Sequence, residues 1–431
     1  MARLNLVLLL SVAAASVAAT GSVPTEAKNP DVIEPPPVLP PFDTELPCNV
    51  TLPDGTVEEL FEGDIILTEE QRVNRKGNIF QTWPNGNIPF VINASSSYDR
   101  PVILAAIAEW EAATCITFEE KPESYSSGPH LRFFQGSGCY SYVGMVSSNS
   151  GQEVSIGSGC AFLGTVIHEI GHAIGFWHEQ SRTDRDSYVT VIWDNIKSGY
   201  EPNFYIASAS QSLGVPYDLS SVMHYGGFQF TNNSFPTLVT NDIAQAGLIG
   251  NRDGLSHRDK HLANLMYLCD DSCSSPPTCA NGGYVDSSCT CACPPGTSGA
   301  TCQTVTGTYY EAPCGDQSIA TAGTITSPDY PSIYPPGQHC VWIVTAPAGM
   351  QVRIDFGAFG ILYRSGGKCP FDWVTVHTDS DSIPDYVNCG MELQNQSITS
   401  SGERLALEFH SYGYGNYPYY QKGFTASVTF V

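Results

Sequence analysis

Apolar positions fall into three patterns along this chain, and each predicts a different kind of structure. Behind Met1-Ala2-Arg3, the run from Leu4 to Val17-Ala18-Ala19 is almost unbroken and ends in small residues. That is the form of a secretory signal over residues 1–19, too short and too alanine-rich at its end for a membrane anchor. Further on, Ile103, Ile107 and Trp110 recur at helical spacing behind Asp99-Arg100-Pro101, predicting a helix capped at Asp99 and running through Ala113. A second helix is expected from Ala161 to Phe176. Ile88 to Ile92, His130 to Phe134 and Cys139 to Met145 read as strands. From Cys314 to Val431, alternating apolar segments are separated by turn residues such as Ser327-Pro328-Asp329-Tyr330-Pro331 and Ser400-Ser401-Gly402, the pattern of a β-sandwich.

At 431 residues the chain should hold two to four domains. Its net charge of -24 opposes binding to nucleic acid, itself a polyanion. Beyond residue 19 no stretch is long and apolar enough to span a bilayer, so a product without a membrane anchor, secreted into the extracellular space, is expected. Residues 20–47 are rich in proline and acidic groups around Glu34-Pro35-Pro36-Pro37 and are poorly suited to burying surface. With a secretion signal present, the 15 cysteines are expected to form disulfides.

The chemistry concentrates in His168-Glu169-Ile170-Gly171-His172-Ala173-Ile174-Gly175-Phe176-Trp177-His178. On a helix, residues four apart share a face, so His168 and His172 can take adjacent corners of a tetrahedral Zn2+ ion. Glu169 stands beside that ion without ligating it, placed to act as general base toward a metal-held water. Gly175 can adopt positive φ, stop the helix and let the chain swing round to bring His178 in as third ligand. Three protein ligands leave one position open, the arrangement of a catalytic rather than a structural zinc.

This stretch continues as Glu179-Gln180-Ser181-Arg182 and is followed by Ser221-Val222-Met223-His224-Tyr225. Together they resemble the astacin family of zinc endopeptidases, within the metzincins. The resemblance implies an α+β catalytic domain of two subdomains over residues 77–269, with one zinc. It places Met223 in a turn beneath the metal and makes Tyr225 a labile ligand that can turn to the oxyanion. Glu179 is implied to meet the new amino terminus after processing. The segment Cys139 to Met145 is implied to be an edge strand beside the cleft, able to pair with an extended substrate.

Upstream, Phe61-Glu62-Gly63-Asp64 resembles the astacin pro-segment motif, in which the aspartate takes the zinc position meant for water. Arg72-Val73-Asn74-Arg75-Lys76 is either a processing site, with the mature chain starting between Val73 and Gly77, or a solvated charge cluster. Residues 20–76 would then be a propeptide.

By the same resemblance Cys115 pairs with Cys269 and Cys139 with Cys160. Six cysteines between Cys273 and Cys302 mark a small disulfide scaffold that resembles an EGF-like module, its connectivity left open by the tight spacing of Cys289, Cys291 and Cys293. Residues 314–431 resemble a CUB domain, implying pairs Cys314 with Cys340 and Cys369 with Cys389. Asp372 stands where many CUB domains place a calcium ligand, but one carboxylate is too few for a cation that takes six or more oxygens, and no calcium is expected. Cys48 is left over, within the pro-segment. Asn49, Asn93, Asn232 and Asn395 open Asn-x-Ser/Thr triplets and are candidate glycosylation sites.

The expectation is therefore a secreted zinc endopeptidase made as a latent zymogen, acting on protein or peptide substrates and engaging extracellular proteins through its EGF-like and CUB modules. The competing expectations are a non-catalytic adhesion or matrix-binding protein that keeps the zinc fold, and a zinc hydrolase acting on non-peptide substrates.

Overall fold

The computed structural model describes residues 49–73, 82–146, 151–207, 212–364, 367–369, 371–378, 383–411 and 422–431. The expected signal, the proline-rich run, Cys48 and the basic residues Arg75 and Lys76 lie outside them.

The first layer is an eight-stranded mixed sheet in the order β1-β2-β3-β7-β8-β6-β4-β5. Its strands are β1 (Asn49–Thr51), β2 (Val57–Phe61), β3 (Ile65–Ile66), β4 (Asn87–Ile92), β5 (Thr117–Glu120), β6 (Leu131–Phe134), β7 (Cys139–Tyr142) and β8 (Gln152–Ile156). β1 to β3 come from the expected pro-segment. β3 lies parallel against β7, with Ile65 opposite Ser141, so β7 is interior to the sheet here. The edge position expected for this strand is therefore not the one the structure shows.

A short helix α1 (Glu69–Val73) follows β3, and Arg72 is tied back to Glu58 at 2.6 Å and to the Leu67 carbonyl. Two helices, α2 (Arg100–Ala113) and α3 (Leu163–Ala173), pack against the sheet. Ile103, Ile107 and Trp110 of α2 join Val166, Ile167 and Ile170 of α3 in one buried cluster with Ile88, Phe133 and Val154 of the sheet. Trp110 also donates its indole hydrogen to the Ile167 carbonyl, at 3.0 Å, so its polar edge is satisfied inside that core. Asp99 occupies the N-cap of α2, but its side chain makes no capping bond; Pro101 in the first turn sets the start instead.

α3 is shorter than the apolar pattern predicted, ending at Ala173 rather than Phe176. Gly175 sits at φ +118, the Gly175 amide bonds the His172 carbonyl and the Phe176 amide bonds the Gly171 carbonyl. This is the glycine-terminated double bond that closes helices, and it turns the chain toward His178.

Below the helix, β9 (Val189–Val191) pairs with β10 (Leu238–Thr240). Around them Phe204, Tyr217, Leu219, Tyr225 and Phe230 form a second core. The last catalytic helix, α4 (His257–Met266), starts with a capping box in which the Ser256 hydroxyl and the Asp259 carboxylate exchange backbone hydrogen bonds. A disulfide between Cys115 and Cys269, with a sequence separation of 154, ties the end of this region to the end of α2. Another joins Cys139 of β7 to Cys160, just ahead of α3.

Residues 273–302 carry three disulfides, Cys273–Cys289, Cys279–Cys291 and Cys293–Cys302. They enclose two small hairpins, β11 (Tyr284–Val285) with β12 (Cys291–Ala292) and β13 (Thr297–Ser298) with β14 (Thr304–Val305).

The chain then returns to the region of β9 and α4. The hydroxyl of Tyr310 accepts the Leu219 amide at 3.0 Å and donates to Asp218 at 3.1 Å, and its ring packs on the second core. The Arg258 guanidinium lies 3.9 Å from the Tyr309 ring centroid. Tyr310 thus completes a core that begins about a hundred residues earlier in the chain. Tyr310→Ala should lower stability by about 1–3 kcal/mol and Tyr310→Phe by about 1 kcal/mol, the difference being the ring's packing. Thermal unfolding of the full chain checks both, and a Tyr310→Ala midpoint equal to wild type would place the linker outside the folded unit.

The last region is a sandwich of two four-stranded sheets. One contains β15 (Gly323–Thr326), β17 (Val352–Gly360), β20 (Ser397–Thr399) and β22 (Gly423–Phe430), and the other β16 (His339–Thr345), β18 (Trp373–His377), β19 (Tyr386–Asn388) and β21 (Arg404–His410). Disulfides join Cys314 to Cys340 and Cys369 to Cys389. Along β16, Cys340, Trp342 and Val344 face the sandwich core, while Val341 and Ile343 face outward and are buried all the same. They pack with Ala406 against Ile243, which follows β10, and Phe228 meets Trp373 edge-on at 5.1 Å. Gly247 sits so close to His339 that a Cβ there would lie 2.2 Å from the ring. The sandwich is docked on the first region rather than tethered beside it. Asp372 is buried and accepts the Tyr334 hydroxyl.

Candidate active site

α3 presents His168 and His172 from one face, and the turn after Gly175 delivers His178. All three imidazoles are buried, at 2, 0 and 0 % exposure. Their Nδ1 atoms are each held: His168 by the Val222 carbonyl at 2.7 Å, His172 by the Phe176 carbonyl at 2.9 Å, and His178 by the Glu62 carboxylate at 2.7 Å. An acceptor at Nδ1 fixes the tautomer with its hydrogen there, which leaves every Nε2 with a free lone pair.

Those lone pairs converge. His168 Nε2 is 3.1 Å from His172 Nε2 and 3.3 Å from His178 Nε2. Asp64 Oδ2 is 3.2 Å from His168 Nε2 and 3.1 Å from His178 Nε2. A tetrahedron with zinc–ligand bonds of about 2.0–2.1 Å has edges of about 3.3 Å. Three nitrogen lone pairs packed at such a spacing would repel one another, and a cation of that size resolves the conflict. The donor set fits zinc, and among the described residues these four are the only buried group of this kind.

Electrostatics follow from burial and from Asp64. Burial and the nearby charge of Arg252 push His168 down to about 3. Burial opposes the charge on Asp64, yet the facing imidazoles hold its pKa well below the ordinary carboxylate range. Glu169 is 1 % exposed; burial, reinforced by the negative charge of Asp64, raises its carboxyl well above the usual range. Its Oε2 has no hydrogen-bond partner, a buried acceptor facing no protein donor.

The floor of the site is built from sequence-distant parts. Asp259 accepts hydrogen bonds from the Ser221 hydroxyl at 2.6 Å and the Val222 amide at 2.9 Å, which pins the turn holding Met223. Met223 is buried against Gly171, where a Cβ would lie 2.7 Å from its sulfur. A side chain between the two helix histidines would thus press directly on the turn. Tyr225 is buried with its ring 4.8 Å from that of His178, and its hydroxyl donates to the Glu62 carbonyl. Glu179 pairs with Arg182 at 3.1 Å and accepts the Asp218 amide at 2.7 Å; burial raises it to about 8. Its expected partner, a processed amino terminus, falls outside the described residues.

Sequence reasoning missed Glu62, Asp218, Asp259 and Tyr310. Glu62 lies inside the motif that pointed to Asp64, but its contact with His178, like the partners of the others, is made across a long separation. For the docked sandwich a signal did exist: Cys340-Val341-Trp342-Ile343-Val344 is a continuous apolar run, the mark of a strand covered on both faces.

Comparison with known proteins gives the same picture. The family pattern of the Astacin peptidases matches residues 75–268, and the CUB domain pattern matches residues 314–427. Blastula protease 10 of Paracentrotus lividus is 38% identical over 438 residues, covering 95% of this chain and 72% of its own length. Protein SpAN of Strongylocentrotus purpuratus is 39% identical over 80% of this chain and 59% of its own. Zinc metalloproteinase dpy-31 of Brugia malayi is 32% identical over 90% of this chain and 68% of its own. With the zinc-fitting histidine cluster in place, the chain belongs to the astacin family of zinc metallopeptidases and carries a CUB domain.

Proposed function

We propose that this protein is a secreted zinc endopeptidase, made latent and activated by removal of residues 20–76, that hydrolyses peptide bonds in extracellular proteins. The observation that supports this best is the convergence of His168, His172, His178 and Asp64, whose ligand atoms all lie within 4.8 Å of one another. Three neutral imidazoles make a catalytic ligand set, and the fourth donor comes from a removable segment.

His168, His172 and His178 would hold the zinc. When bound, it supplies a Lewis acid that polarises a peptide carbonyl and acidifies water. Glu169 takes the proton from the attacking water and passes it to the leaving amine. Tyr225, freed from the Glu62 carbonyl when the pro-segment leaves, donates to the oxyanion developing on the substrate carbonyl. Departure of β3 exposes the edge of β7, and an extended substrate can pair there through main-chain hydrogen bonds. Asp64 is the latch, and Met223 shapes the floor.

Residues 273–302 are read as an EGF-like module, since their three bonds join first to third, second to fourth and fifth to sixth cysteines. Together with the CUB domain it would position the enzyme on extracellular proteins. The seven disulfides among the described residues suit an oxidising compartment. No helix among the described residues is long and apolar enough to cross a membrane. Asn49 and Asn395 are exposed and suited to carry glycans, and Asn93 is half-buried with its side-chain oxygen capping Ser95. Asn232 uses its amide hydrogens on the Asp194 and Ile196 carbonyls, so a glycan there would break both bonds.

Tyr225→Phe in the processed enzyme tests the oxyanion role. It should lower kcat about ten- to a hundredfold with a smaller change in KM, because one donor to the transition state is lost. An effect confined to KM would remove Tyr225 from the chemistry. Cleavage of a peptide library by processed protein tests the function as a whole, and absence of any peptide hydrolysis would favour the adhesion reading.

A further inference from the structure

A pro-segment that only had to block the metal position would need Asp64 and nothing more. Glu62, two residues earlier, is also inside the centre at 1 % exposure. Its Oε2 lies 2.7 Å from His178 Nδ1, and both side chains are fully buried. The comparison with the other two ligands is informative. His168 and His172 direct Nδ1 to backbone carbonyls of the catalytic domain itself, Val222 and Phe176. His178 takes its acceptor from the removable segment.

Backbone geometry at Glu62 points the same way. It sits at φ +50, followed by Gly63 at φ +84, in the turn between β2 and β3. Glycine or asparagine occupies that left-handed region at lower cost than glutamate. The turn alone therefore gives no reason for a glutamate, whereas the contact with His178 does. The residue is held there from both sides: its carbonyl accepts the Tyr225 hydroxyl, and the preceding Phe61 ring packs edge-on against Trp177 at 6.1 Å.

We propose that Glu62 is a positioning residue of the latent metal centre: its carboxylate accepts the Nδ1 hydrogen of His178, aims Nε2 at the zinc and makes that imidazole a stronger donor. A carboxylate behind a ligating histidine typically strengthens metal binding about ten- to a hundredfold. The latent form thus holds zinc more tightly than the processed enzyme, which loses this acceptor together with Asp64. The inference rests on the reading of residues 20–76 as a removable pro-segment with Asp64 as latch.

The test is zinc retention by the unprocessed full chain against a high-affinity chelator, for wild type, Glu62→Gln, Glu62→Asn and Asp64→Ala. Glu62→Gln keeps shape and removes charge; Glu62→Asn suits the turn backbone and removes the reach to His178. Both should bind zinc about tenfold or more weakly than wild type while remaining unable to cleave peptide. Once processed, all Glu62 variants should show identical zinc affinity, because residue 62 is gone from the enzyme. Retention within twofold of wild type in both variants would overturn the proposal, as would a Glu62 variant that gains activity without losing zinc affinity. Asp64→Ala separates the two readings: if its unprocessed form stays wholly inactive, the latch assignment fails, whatever Glu62 does.

Discussion

Processed Glu169→Gln enzyme is expected to retain its zinc while kcat falls by about two to three orders of magnitude, the usual cost of losing a general base. The reason lies in where this side chain is. Glu169 is on α3 one residue from His168, buried, with Oε2 facing no protein donor. Among the described residues nothing donates to that oxygen, so its replacement by an amide should leave the histidine cluster and the helix undisturbed. Glutamine has the same length and can still accept a hydrogen bond, but it cannot carry a proton from water to the leaving amine. Zinc content and kcat measured on one preparation separate the effects. Near-normal turnover with full zinc would take the general-base role from Glu169, and loss of zinc would make it a structural residue.

Unprocessed Asp64→Ala should cleave peptides measurably, at least about tenfold faster than the unprocessed wild type, because a tethered carboxylate competes for the metal at an effective concentration no solvent ligand matches. The gain should stop well short of the processed enzyme. β3 would still be paired with β7, and the Glu62 carbonyl would still hold the Tyr225 hydroxyl. Activity of the unprocessed protein before and after addition of an activating protease measures both limits. If the variant is as silent as wild type, strand pairing alone is the block and Asp64 is not the latch.

The ligand set was legible in the sequence because it is local: four- and six-residue spacings on a helix and its closing turn convert directly into geometry. So was Asp64, through a short motif. What escaped was anything made by chain segments far apart. Glu62 reaches His178 across 116 residues and Tyr310 reaches Asp218 across 92, and no local spacing foretells either contact. The end of α3 was misplaced because Ile174 and Phe176 continue the apolar pattern while Gly175 at positive φ has already broken the helix. Asp99 looked like a cap by composition, but Pro101 fixes the first turn without it. β7 was expected as an edge and is interior, since β3, from the expected pro-segment, pairs with it.

Zinc stoichiometry of the purified chain is the most direct test of the site, with His172→Ala as its partner measurement and circular dichroism to confirm that the variant is folded. One zinc per wild-type chain and none retained by folded His172→Ala after dialysis is the predicted result. A folded wild-type protein without zinc, or equal zinc in both, would contradict it.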